Sequence, residues 1–371
     1  MMIKVLHRLV VKALEISILG LLLILTVACS QTEEPTTTVE GDNPDDAVAF
    51  TISAGKPTRA FTTFDNYWTA DQKISVKGKR IDFTKESLAE ETKVFTYKAK
   101  KSSSASEGRV EIIPEVGNNR ADWTPDNTFF WSTRVTSRTF SAWYPAAESE
   151  PSSKTVPEDQ TETALTIYGR DTYYDYDILY APEVTVGFKE TVDLTFYHQL
   201  CRIIVTVNSA ATKRSKPVTE IKFGKQNIAT SVTYTNLGVT GSRSSGAMTV
   251  WSEPADAAKN KDIVMRLKSA DSNSHVYTYE CIVPPQSLPA TNVLFQIKLH
   301  DSQSETKPYP ILEYKPSEMY QDAPNFQAGY QYNYSITLSA AGMVNISSVQ
   351  VYDWTTETIT GLNATVPDGS Y

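Results

Sequence analysis

Between residues 47 and 354 apolar side chains recur at every second position in short runs rich in Val, Ile, Thr, Tyr and Phe. Clusters of Gly, Asn, Asp, Ser and Pro separate one run from the next. A period of two places successive side chains on opposite faces, so the pattern predicts half-buried β-strands joined by turns. Val48, Phe50 and Ile52 alternate with Ala49, Thr51 and Ser53 as a first strand. Residues 110–113, 128–131 and 139–144 read as further strands, with turns at Gly117-Asn118-Asn119 and Pro125-Asp126-Asn127. Helical spacing is confined to residues 85–92 and 255–261.

The phase of the pattern slips twice. In residues 191–208 (TVDLTFYHQLCRIIVTVN), Val192, Leu194, Phe196, His198 and Leu200 share one face, while Cys201, Ile203, Val205 and Val207 fall on the other. A straight strand would then expose half of its apolar set, so a bulge or a strand break is expected between Leu200 and Cys201. Val344 and Ile346 give way to Val349 and Val351 in the same manner. Long bent strands suit a twisted sandwich. The expected fold is all-β, with two tandem β-sandwich domains over residues 47–190 and 191–371. The polar break Gly187-Phe188-Lys189-Glu190 sets the boundary, within about ten residues.

Residues 1–28 do not share this pattern. Lys4, Arg8 and Lys12 precede an apolar run, residues 16–28, that ends at Cys29. The run is shorter than the roughly 20 residues of a spanning helix and has the layout of a secretory signal. Ala28 before Cys29 resembles a lipobox, in which the cysteine is acylated and becomes the mature N-terminus. Residues 29–46, polar and rich in Thr and acidic side chains, read as a tether. Loss of Lys4, Arg8, Lys12 and Glu15 with the leader takes the formal charge from −8 to −10. An acidic chain argues against nucleic acid and against electrostatic docking on anionic lipid, which leaves acyl chains as the membrane anchor. Glu33 and Glu34 close behind Cys29 resemble the signal that sends Bacteroidetes lipoproteins to the outer face of the outer membrane.

Hydrophobic content of 40% with 11% aromatics supports packed cores. Cys201 and Cys281 sit in apolar runs and read either as buried free thiols or, in an oxidising envelope, as a disulfide. His198, His275 and His300 lie far apart without metal-ligand spacing, and neither a Cys-x-x-Cys nor a His-Glu-x-x-His motif occurs. No metal, cofactor or catalytic residue is assigned, and His198 reads as a core or sheet residue. Tyr173, Tyr174, Asp175, Tyr176 and Asp177 form a dense aromatic and acidic cluster, read as a strand edge with its turn or as oxygens for calcium or a platform for sugars. Trp123, Trp131 and Trp143 read as core.

Several residues together carry a resemblance. Thr58-Arg59-Ala60 follows the first strand; Asp177-Ile178-Leu179-Tyr180-Ala181 and Val192-Asp193-Leu194-Thr195-Phe196-Tyr197-His198 come next; Gly329-Tyr330-Gln331-Tyr332 leads to Val349 and Asp353-Trp354. In order and spacing, from Ala47 to Trp354, they resemble the Bacteroidetes fimbrillin family, the lipoprotein precursors of type V pilus subunits. The resemblance implies two transthyretin-like Greek-key sandwiches and assembly by strand exchange. It also implies that an Arg-specific protease cuts after Arg59, making Ala60 the new N-terminus; otherwise Arg59 is a surface residue in a loop. The displaced strand would carry Val48, Phe50 and Ile52, and Leu362, Ala364 and Val366 would form a donor strand. The implied function is a structural or adhesive, non-catalytic subunit of cell-surface fimbriae. Its partners would be other fimbrial subunits, the outer membrane through the lipid on Cys29, and receptors on host or bacterial surfaces. A surface glycan-binding lipoprotein using Tyr174, and a glycoside hydrolase with unassigned carboxylates, are the alternatives.

Overall fold

The structure, a computed structural model, describes residues 46–54, 68, 71–82, 89–100, 110–132, 135–210, 217–239, 247–300, 311–319, 322–339 and 344–354. The leader, Cys29, the tether up to residue 45, Arg59 with Ala60, and Leu362, Ala364 and Val366 lie outside them.

Seven strands build the first sheet: β1 (Phe50–Ala54), β2 (Lys73–Asp82), β3 (Ala89–Ala99), β4 (Val110–Pro114), β5 (Ser137–Tyr144), β6 (Leu179–Gly187) and β7 (Val192–His198). Their order is β1-β7-β6-β5-β2-β3-β4, and β4 pairs back onto β1, so the sheet closes on itself. Within this sheet β1 and β7 run parallel and every other neighbouring pair is antiparallel. Closure satisfies both edges of every strand and turns one face of each inward. Val48, Phe50, Ile52, Ile74, Val76, Phe95, Tyr97, Phe129, Phe140, Val192, Leu194 and Phe196 fill the interior.

The next strands are β8 (Cys201–Asn208), β9 (Val218–Ile228), β10 (Lys261–Val264), β11 (Arg266–Asp271), β12 (Val276–Val283), β13 (Phe295–Leu299), β14 (Ile311–Tyr314), β15 (Tyr330–Leu338) and β16 (Val344–Asp353). They form a five-stranded sheet, β11-β12-β8-β15-β16, and a four-stranded sheet, β10-β9-β13-β14. Ile203, Val205 and Cys281 of one and Ile221, Phe223 and Ile297 of the other share a single core. Phe295 meets Tyr334 across it, ring centroids 4.9 Å apart.

The all-β reading holds, and several details differ from it. β7 was expected after the boundary at residue 190, yet it pairs with β1 and β6 of the first sheet, and the change of sheet comes at Gln199-Leu200. The phase slip marks this change, because the two halves of the run face different cores. The second slip is a bulge, a register shift between Ser335 and Ile336 opposite Ser348 and Ile346. Residues 89–92 are strand, not helix: their Ala and Glu favour helix weakly, whereas pairing with β2 runs unbroken from Ala89 to Lys98. Residues 255–261 hold a short 3-10 turn, Asp256–Ala258, and the first residue of β10, Lys261. Residues 128–131 make one isolated bridge, Ala47 to Phe130, and no strand of their own.

Residues 153–178 precede β6 in the chain but pack on the second core. Ser153–Thr155 pairs with Ser231–Asn236, and Val156, Leu165, Tyr173 and Ile178 join the second cluster. The segment is a strap from one core to the other.

Candidate functional site

β1 is flanked on both sides. Phe50 to Ala54 pair in register with Val192 to Phe196 of β7, and Phe50, Thr51 and Ile52 pair with Ile112, Glu111 and Val110 of β4. Before the strand proper, the Trp131 amide donates to the Asp46 carbonyl (2.7 Å), the Val48 amide to the Phe129 carbonyl (2.8 Å) and the Val192 amide to the Ala49 carbonyl (2.9 Å). Lys189 holds the Asp46 carboxylate at 2.6 Å. On the outer face the Thr51 hydroxyl donates to Asp193, and the Ser53 and Thr195 hydroxyls lie 3.5 Å apart.

On the inner face Val48, Phe50 and Ile52 are 4%, 1% and 0% exposed, so this side of the rib is dry. The Phe50 ring meets Tyr97 and Phe140 edge-on, both with centroids at 5.0 Å, and Phe129 at 6.4 Å. These walls are pinned. The Tyr97 hydroxyl shares a 2.7 Å hydrogen bond with Thr128 and accepts from the Phe129 amide at 3.2 Å, and burial raises its phenol pKa. Phe140 lies so close to Gly78 that a Cβ there would stand 2.6 Å from the ring, which is why position 78 has no side chain.

Burial of three such side chains contributes roughly 1.5–3 kcal/mol each. Their sum is comparable with the whole stability of an ordinary domain, about 5–15 kcal/mol. Withdrawal of β1 also strips partners from the backbone groups of β4 and β7. The first sheet therefore draws much of its stability from this rib.

The other candidates from the sequence are core elements. Tyr173–Tyr176 is a 3-10 turn; Tyr173 and Asp177 are buried, and Tyr174 packs half-buried against the second core. Asp175 accepts from the Tyr144 hydroxyl at 2.6 Å, and Asp177 pairs with Nδ1 of His198. Of the two readings of this cluster, the turn leading into a strand describes it: Tyr173 and Asp177 are buried, and Tyr174, Asp175 and Tyr176 are half-buried just before β6. His198 stacks on Trp354, centroids 3.9 Å apart and rings 5° from parallel, fixing the end of β16 against the end of β7. His275 lies in the turn before β12 and His300 just after β13. Among the described residues no group of three or more His, Cys, Asp or Glu could hold a metal.

Cys201 and Cys281 are free, and the disulfide considered for them is not made. In the register Cys281 stands opposite Ile203 and Cys201 opposite Val283, so the thiols occupy a diagonal of the ladder, a longer span than a direct pair. Burial raises both thiol pKa values, and the Cys201 thiol donates to the Gln327 carbonyl at 2.9 Å. Trp131 and Trp143 are core as expected, whereas Trp123 is half-buried under the Arg120 guanidinium. Sequence reasoning missed Asp193 and Thr195 as the outer partners of the rib, and Tyr97, Phe129 and Phe140 as its inner walls. Parallel pairing across some 140 residues leaves no local signal.

The chain is an all-β protein whose first strand lies between two strands distant from it in sequence. A scan against protein families matches residues 58–354 to the fimbrillin-like family, and the chain belongs to that family. A search of curated proteins finds no match. Among solved structures, the chain is similar to a provisionally named cell adhesion protein from Bacteroides uniformis ATCC 8492. The two are 19% identical with a TM-score of 0.51, over 84% of this chain and 99% of that one. A second provisionally named cell adhesion protein, from Bacteroides ovatus ATCC 8483, matches at 15% identity and a TM-score of 0.51 over 84% and 99%. Both share the fold.

Proposed function

We propose that the chain is a structural or adhesive subunit of cell-surface fimbriae. In this reading it is exported, acylated on Cys29, held at the outer membrane and joined to other subunits by strand exchange at the β1 rib. Cleavage between Arg59 and Ala60 separates β1 from the rest, and a strand from another subunit takes its place between β7 and β4. Membership of the fimbrillin-like family supports the fimbrial and cell-surface part. The single observation that carries the exchange is the placement of β1. It is a short rib with both edges paired and an inner face that is dry, and in the sequence Arg59 follows a few residues after Ala54. Donated strands satisfy both needs at once, because backbone pairing gives affinity and alternate side chains give fit. No bond is made or broken by the subunit itself.

An Arg-specific protease added to the purified mature chain is expected to convert monomer into ladders on an undenatured gel, with partner subunits present. Arg59→Ala is expected to abolish the ladders. Ladders that persist in Arg59→Ala contradict cleavage at this site.

A further inference from the structure

We infer that the β1 groove selects a strand from a different polypeptide, one with a large aromatic residue between two aliphatic ones, and rejects the segment 355–371 of its own kind. The inference rests on the strand-exchange reading and adds the identity of the partner by chemistry.

The geometry of the pocket sets the demand. Its three inward positions hold Val48, Phe50 and Ile52, and the central one is walled by Tyr97, Phe129 and Phe140. Tyr97 is tethered by Thr128, and the Phe140 ring is seated on Gly78. Walls held in this way cannot move inward by the width of a benzene ring, so a small central residue leaves a void. A void in a rigid aromatic cage weakens binding by the lost contacts of every wall.

The segment 355–371 (TTETITGLNATVPDGSY) does not meet the demand in any register. With Ala364 at the place of Phe50, Leu362 and Val366 fill the flanks, but the central pocket receives a methyl group. The same register, run in the direction of β1, puts Pro367 at the place of Ser53, inside a rib paired with β7. With Val366 at the centre, Asp368 takes a buried flank; with Ile359 at the centre, Glu357 does. A buried carboxylate without a partner is far worse than a void. With Leu362 at the centre, the flanks are Thr360 and Ala364, and Tyr371 has Gly369 two places before it. Reversing the strand only exchanges the two flanks. Homopolymers built by this segment in this groove are therefore disfavoured, and the segment suits a groove with a smaller centre. The outer face adds a second criterion: Asp193 accepts from Thr51, so the incoming strand carries a hydroxyl next to its aromatic residue.

The test uses the mature chain with a single engineered protease site in place of residues 56–59, cut and then mixed with labelled peptides. The peptides are residues 46–54, residues 355–371, and residues 355–371 carrying Ala364→Phe, and binding is read by fluorescence anisotropy. The 46–54 peptide is expected to bind at least about 100-fold more tightly than 355–371, and Ala364→Phe to recover at least about tenfold. Equal binding of 46–54 and 355–371 overturns the inference while leaving strand exchange standing. Failure of 46–54 itself to bind overturns strand exchange and the inference with it. A second measurement needs no cleavage: Phe50→Ala in the intact chain is expected to lower the melting temperature markedly, and an unchanged melting temperature shows a pocket that closes around alanine, which overturns the inference.

Discussion

Phe50→Ala is expected to destabilise the first sheet by about 3–5 kcal/mol, the upper part of the range for truncating a buried side chain. The ring is 1% exposed and lies within an aromatic cluster whose members are fixed by hydrogen bonds or by a glycine. Poor collapse moves a site toward the high end of that range. A loss of this size corresponds to roughly 10 °C in melting temperature for a unit of about 150 residues. Thermal unfolding followed by near-ultraviolet circular dichroism measures it, since the aromatic cluster gives the signal. Thr51→Val on the outer face removes only the bond to Asp193 and is the control, with a loss of about 1 kcal/mol. Equal effects from the two substitutions contradict the account of the inner pocket.

Arg202→Ala is expected to cost about 3–5 kcal/mol in the second core. Arg202 on β8 and Glu280 on β12 are 2% and 3% exposed. Nε and one terminal nitrogen of the guanidinium both donate to the same Glu280 oxygen, at 3.1 and 2.5 Å. Truncating the arginine leaves a carboxylate out of water, with the Lys268 ammonium 3.9 Å away and the Arg266 guanidinium as the cations that still act on it. Removing both charges avoids that penalty, so Arg202→Met with Glu280→Leu is expected to recover most of the loss. Urea unfolding of the two variants against the parent decides the matter. A single substitution that costs less than about 1 kcal/mol contradicts the view of a dry, mutually dependent pair.

The sequence carried β1 and β7 because each alternates cleanly between an inward and an outward face, and β4, β5 and β8 because each carries an apolar run rich in Val, Ile or aromatic residues. It also marked where the chain changes sheet, since the phase slip at Leu200-Cys201 reports two different cores. Its reading failed where local preference and tertiary pairing disagree. Ala89, Glu90 and Glu91 favour helix, and their place opposite β2 overrides them. The aromatic and acidic cluster at 173–177 left two readings open because its residue types are polar or amphipathic; the strap that carries it packs onto the second core. Three inward positions of the rib were legible as Val48, Phe50 and Ile52. Their surroundings were not, because Tyr97, Phe129, Phe140 and Asp193 come from segments separated by turns and long loops. A buried Arg202 beside Glu280 was equally hidden, for alternation alone does not pair charges across strands.

Hydrogen exchange before and after cleavage at Arg59 addresses the removable rib most directly. In the uncut chain the amides of Val110 to Ile112 and of Val192 to Phe196, which flank β1, are expected to exchange slowly. After cleavage and washing away of the fragment that carries β1 they should exchange fast, and regain protection when a partner strand is added, while β8 and β12 stay protected throughout. Unchanged protection along β4 and β7 after cleavage contradicts a rib that can be withdrawn and replaced.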